Sequence, residues 1–118
     1  MSRRTERISE QIKSEIARIL LEDVTDPRIG MVTLTRVDCA PDLSNAIVWW
    51  SVIDSKDADV IESVSDGLDS AASFIRSRVA RELPLRRMPR LEFRYDPTLE
   101  QGSDMLSLLR EISDAETS

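Results

Sequence analysis

The sequence predicts an α+β fold: a three-stranded sheet covered by helices on one face. Three observations carry this. Hydrophobic spacing changes along the chain from helical to alternating and back, in the order α-β-β-α-α-β, with one more helical pattern at the end. The apolar residues of two strand patterns share a parity, Val48 with Trp50 and Leu91 with Phe93, so each strand turns one face to a core. Finally, 118 residues of which 41% are hydrophobic and 32% charged suit one globular domain. That domain is expected over residues 1–113, with 114–118 a disordered tail.

Residues 4–22 form the first helix, because Ile8, Ile12, Ile16, Ile19 and Leu20 fall on one stripe. Ser2 or Thr5 is its candidate cap. Asp26-Pro27-Arg28-Ile29-Gly30 stops it, since the residue before proline disfavours helix and Gly30 permits a turn. Residues 31–38 and 44–53 then read as a hairpin around the turn cluster Ala40–Asn45. Val32 and Leu34 share a parity that Val37 breaks, so a bulge is expected near Arg36. The second strand is apolar on both faces: Ala46, Val48, Trp50 and Val52 on one, Ile47, Trp49 and Ile53 on the other. That marks a central strand or an open apolar face.

Asp54–Asp57 leads into a helix with a stripe of Val60, Val64, Leu68, Ala71 and Ala72. A kink at Ala71-Ala72-Ser73 is expected, followed by a second helix through Phe74, Ile75, Val79 and Leu83 that Pro84 ends. Arg90–Tyr95 alternates as the third strand. A C-terminal helix over Ser103–Ile112 carries Met105, Leu108, Leu109 and Ile112.

Composition narrows the function. There is no histidine, which removes the commonest general base and the usual partner of a Ser or Cys nucleophile. The single Cys39 rules out an internal disulfide and a multi-cysteine metal cluster. No enzyme activity, cofactor or metal is expected. No apolar run approaches the roughly 20 residues of a membrane helix, and no signal-peptide pattern opens the chain. A cytoplasmic protein without membrane contact, and a monomer, is the expectation.

The charge is segregated. The chain as a whole carries −6, and residues 54–69 alone sum to −5. Yet Arg76, Arg78, Arg81, Arg86, Arg87, Arg90 and Arg94 face only Glu82 and Glu92, a local +5. All seven are arginine, the residue suited to bidentate phosphate contact and to stacking on bases. The bland alternative is a solvated face paired with the acidic helix. Arg76, Arg78, Arg81, Arg86 and Arg87 are the favoured RNA contacts. Arg90 and Arg94 lie on a strand, where cross-strand pairing competes. Ala71, Ala72 and Ser73 suit close approach, whether of another element or of an RNA strand. Arg3, Arg4 and Arg7 are either a second phosphate-contacting patch or a solvated start. Of the two tryptophans, Trp50 is assigned to the core and Trp49 to an interface.

Two helices joined by small residues, between a hairpin and a returning strand, resemble a type II KH domain. The GxxG loop of that domain is missing, and Ser70-Ala71-Ala72-Ser73 takes its place. The patterns narrow the likeness further. They are Asp26-Pro27-Arg28 with Gly30, Val32-Thr33-Leu34-Thr35, Asp42-Leu43, Ala71-Ala72 with Phe74-Ile75-Arg76, and Leu85-Arg86 with Pro89, Leu91, Phe93 and Tyr95-Asp96. In this order and spacing the chain resembles the ribosome-binding factor A family of bacterial small-subunit assembly factors, in which an alanine-containing kink replaces the GxxG loop. Ser73 departs from the family's glycine, and Asp104 stands where relatives can be basic.

The resemblance implies binding to the immature small (30S) ribosomal subunit and its 16S rRNA, with help in late maturation and 5′-end processing and importance at low temperature. It allows further assembly factors, a GTPase among them, as partners. Two other functions are weighed against it. One is a protein–protein module on the open face at Ile47, Trp49 and Ile53. The other is a Mg²⁺-dependent nuclease, for which no carboxylate spacing forms a recognisable site.

Overall fold

The computed structural model describes residues 3–24, 27–29, 32–52 and 57–98. The first helix, α1, spans Arg3–Glu22, and a short 3₁₀ turn covers Pro27–Ile29. Two strands come next, β1 over Val32–Cys39 and β2 over Asn45–Val52, then α2 over Ala58–Glu82 and β3 over Arg90–Tyr95. The sheet order is β1-β2-β3. β1 and β2 are antiparallel, whereas β3 returns parallel to β2 after the α2 crossover. This is the predicted α+β, KH-like arrangement. The expected helix at Ser103–Ile112 and the tail at 114–118 lie outside the described residues.

β2 is the central strand because both its faces have something to bury. Ala46, Val48, Trp50 and Val52 are buried against the helices, while Ile47 and Trp49 are half-buried on the other side. β1 changes parity at a bulge: Leu34 pairs with Trp50 but Arg36 pairs with Trp49, which leaves Thr35 unpaired. The extra residue turns Val37 and Cys39 toward the core. On α1 the predicted stripe is the buried one, with Ile12, Ile16 and Ile19 fully enclosed. Burial raises the Cys39 thiol above its ordinary range, so it stays protonated and inert.

Two local expectations are corrected, and Phe74 takes a place outside the core. Thr5 cannot cap α1, because the helix already runs at Arg3; Thr5 is a buried residue of its first turns. The two helices expected around Ala71-Ala72-Ser73 are one, α2, which passes through the small residues without interruption. Alanine is the best helix former, so small side chains here narrow the helix instead of ending it. Phe74 is not a core residue. Val64, Leu68, Ala71, Ile75 and Val79 continue the inward stripe at steps of three and four, and Phe74 falls beside it, 41% exposed.

Close approach does occur on α2, one turn before the alanines. Gly67 is buried where the 3₁₀ turn crosses the helix, and a Cβ there would meet Arg28 Cβ and Ile29 Cγ1 at 3.2 Å. Proline chemistry sets the end of α2. Leu83 is extended, as the residue before Pro84 must be, and its carbonyl accepts from Leu85 N at 2.8 Å across that proline.

Asp96 locks the far end of the sheet. Its amide donates to the Trp50 carbonyl at 2.7 Å. Its carboxylate accepts from the hydroxyl of the bulged Thr35 at 2.6 Å and from Thr98 N at 2.9 Å. The Thr98 hydroxyl donates to it as well. The bond to Thr35 spans β2, joining the two outer strands. The hydroxyls of Thr35 and then Thr98 hold the Asp96 carboxyl below the ordinary carboxylate range, with burial opposing them. In the unfolded chain the same group binds its proton near pH 4. Its contribution to stability is therefore full above that pH and is lost as the pH falls through the lower folded value. Thermal melts between pH 6 and pH 3 should show Asp96→Asn melting lower than the parent at pH 6. The gap should narrow toward pH 3. A constant gap would mean that the carboxylate charge contributes nothing.

Candidate nucleic-acid interface

α2 is electrically divided. Asp57 caps its start, accepting from Asp59 N at 2.9 Å, and Asp59, Glu62, Asp66 and Asp69 occupy its first half. Arg76, Arg78 and Arg81 occupy the second. Acid near the N-terminus and base near the C-terminus both suit the helix dipole. Because both halves belong to one rod, the acids cannot fold over onto the arginines. No ion pair joins the two halves among the described residues.

Arg76 fixes the segment beyond the helix. Its Nη2 donates to the Met88 carbonyl at 2.9 Å and its Nε to the Pro89 carbonyl at 3.2 Å. Residues 84–89 are thereby drawn back along the last turns of α2, carrying exposed Arg86 and Arg87 with them. The result is a groove of about 350 Å³ lined by Ala72, Ser73, Arg76, Arg90 and Leu91. Of the residues that the sequence singles out, Ala72, Ser73 and Arg76 line this groove; Ala71 packs against the core, and Arg78, Arg81, Arg86 and Arg87 are outside the lining. Arg76 commits two of its five N–H donors to carbonyls and keeps the others.

The strand arginines part company. Arg90 enters the groove, although sequence reasoning ranked it low; its signal was its position one residue after Pro89, at the start of β3. Arg94 is tied up, but not across strands: its Nε and Nη2 donate to Glu92 on its own strand at 3.0 and 2.9 Å. Arg78 is half-buried, with its guanidinium 5.2 Å from the Phe74 ring centroid, and Arg81 is exposed.

Arg3, Arg4 and Arg7 are exposed on the first turns of α1. Cys39 N donates to Ser9 Oγ at 3.3 Å, which ties those turns to the end of β1. The hairpin turn after β1 lies beside the end of the Arg86-Arg87 loop, since Arg90 N donates to the Ser44 carbonyl at 3.1 Å. The N-terminal arginines therefore share an end of the molecule with the loop, but they do not line the groove.

The sheet face bearing Trp49 differs in character. Arg36 lies 4.7 Å over the Trp49 ring, and Trp49 Nε1 donates to Asp38 at 3.1 Å. Arg36 in turn pairs with Asp38 at 3.1 Å. With Arg94 held by Glu92, this face neutralises itself. Among the described residues no group of His, Cys, Asp and Glu could hold a metal ion, and no helix is long and apolar enough to cross a membrane.

Two arginines on α2 separate structural from ligand-facing roles. Arg76→Ala should cost about 1 kcal/mol, because it releases the loop carbonyls. Arg81→Ala, which has no such bond among the described residues, should stay within about 0.5 kcal/mol. Urea melts of the two variants check this, and equal midpoints would remove the bridging role of Arg76.

Residues 4–109 match the family model described as Ribosome-binding factor A. A Ribosome-binding factor A from Thioalkalivibrio sulfidiphilus is 41% identical over 106 residues, covering 90% of this chain and 81% of that protein. The crystal structure of ribosome-binding factor A from Thermus thermophilus superposes with a TM-score of 0.67 at 25% identity, over 77% of this chain and 93% of that one. A Thermus thermophilus ribosome-binding factor A fitted into a map of a 30S complex gives 0.62 at 24% identity, over 79% and 96%. The family match spans both strands of the hairpin, the cationic half of α2 and the groove, and by it the chain belongs to the ribosome-binding factor A family.

Proposed function

We propose that this protein binds the immature small (30S) ribosomal subunit by contacting its 16S rRNA. There it assists late maturation, including processing at the rRNA 5′ end, with most effect at low temperature. The observation that carries the reading is the groove itself: a −6 protein gathers Arg76 and Arg90 around Ala72 and Ser73, and Arg76 holds beside it the loop that carries exposed Arg86 and Arg87. Exposed guanidinium groups beside the small residues of a narrow helix suit a phosphate backbone. Family membership supplies the ribosome. The structural relative fitted in a 30S complex lends only its fold at 24% identity.

The mechanism is binding energy without bond chemistry. The protein favours one rRNA conformation over its alternatives, and the shift equals the difference in its affinity for the two. Release comes when the next assembly step removes that conformation; other factors, a GTPase among them, act at that step. The protein works as a cytoplasmic monomer. Sedimentation of a cell extract tests the reading. Co-migration with free small subunits and absence from complete ribosomes is expected. Equal occupancy of both, or of neither, overturns it.

A further inference from the structure

We propose that Phe74, with Arg78 beside it, is a stacking platform for one unpaired nucleobase on the flank of α2 that also carries Arg81. This rests on the RNA-binding reading and adds a base contact to its phosphate contacts.

The observation is an aromatic ring where a water-soluble helix has no reason to show one. Phe74 is 41% exposed, and it is the only aromatic among the exposed large hydrophobic residues described. Its neighbours on the helix surface at three and four residues are Ser70, Ala71, Ser77 and Arg78. Three of these are too short to shield a phenyl ring. Only Arg78 reaches it, with Cζ 5.2 Å from the ring centroid. Arg81 follows seven residues on along the same flank, while the groove of Ser73, Arg76 and Arg90 opens on the other side of the helix.

The chemistry around the ring selects the occupant. An apolar protein side chain would have to sit beside the Arg78 guanidinium, with Arg81 two turns on along the same flank, and neither gains anything from it. An unpaired nucleotide meets both demands, offering a flat π-face to the phenyl or guanidinium plane and a phosphate to the neighbouring arginines. Trp49, the residue that sequence reasoning placed at an interface, lacks this freedom. Its ring lies under Arg36, and its indole N–H is given to Asp38, which also pairs with Arg36.

The test uses the full chain, deproteinised 16S rRNA and intact small subunits. Phe74→Leu keeps the apolar bulk and removes the π-face; Phe74→Trp keeps the π-face. Loss of one stacked base should weaken rRNA binding by about five- to a hundredfold for the leucine variant. The tryptophan variant should bind like the parent. The salt slope should be unchanged in both, because no charge is altered. Both should melt with the parent, since the ring lies outside the core. The proposal is overturned alone if Arg81→Ala flattens the salt slope while Phe74→Leu binds as tightly as the parent. It is overturned in favour of a protein partner if Phe74→Leu loses small subunits but keeps naked rRNA. It falls together with the RNA-binding reading if the parent shows no salt-dependent affinity for rRNA.

Discussion

Ile16→Ala is expected to lower stability by about 2–5 kcal/mol. The side chain is fully enclosed. It belongs to a cluster that joins Ile8, Ile12 and Ile19 of α1 to Val37, Cys39, Ala46 and Val48 of the sheet and to Ile75 and Val79 of α2. Truncation leaves a hole between three elements, none of which can move inward without losing its contacts to the others. A small domain has only about 5–15 kcal/mol in total, so this one change removes a large share. Leu21 on the same helix is the control: it is 85% exposed, and Leu21→Ala should stay within about 0.5 kcal/mol. Urea melts with unchanged slopes read both. A loss below about 0.5 kcal/mol at Ile16 would mean that α1 does not pack on the sheet through this stripe.

Much of this architecture is legible in the sequence, because the signals are local. The alternation of Ala46, Val48, Trp50 and Val52, the parity break before Val37 and the 90–95 strand all depend on a period of two, which a bulge shifts visibly. Proline marks the end of α2 for the same reason. What fails is whatever depends on the third dimension. Phe74 stands one residue from Ile75, and hydrophobicity alone cannot say which of two adjacent apolar residues faces in. Arg76 and Arg90 are fourteen positions apart, yet they share a groove because two carbonyls near Pro89 anchor the loop. Arg94 looks equivalent to Arg90 on paper; only the pairing with Glu92 distinguishes them. Asp96 could be seen as part of a Tyr-Asp pattern, but its clamp on Thr35 needs the sheet order to appear.

Replacing Arg81, Arg86 and Arg90 together by alanine should weaken binding to isolated small subunits on the order of a hundredfold at low salt, at about 1 kcal/mol per lost contact. These three are exposed, and among the described residues none is held in an ion pair. If each meets a phosphate, the slope of log K against log salt should flatten by about two to three units, since each contact contributes about 0.7–0.9. Affinity and slope must move together, which a general loss of fold would not produce. Stability should move little, because none of the three lies on the inward stripe of α2 or in either core cluster. Arg94→Ala is the matched control: it removes an arginine from the same strand as Arg90, but one already committed to Glu92, and the slope should stay where it was. Substitutions at Asp59 and Glu62 on the acidic half of α2 should also leave it unchanged. The decisive result is a triple variant that keeps both the affinity and the slope of the parent. Arg81, Arg86 and Arg90 would then be solvated, and the phosphate contacts would have to come from Arg76 and the other remaining cations of this surface or from Arg3, Arg4 and Arg7 at the start of α1.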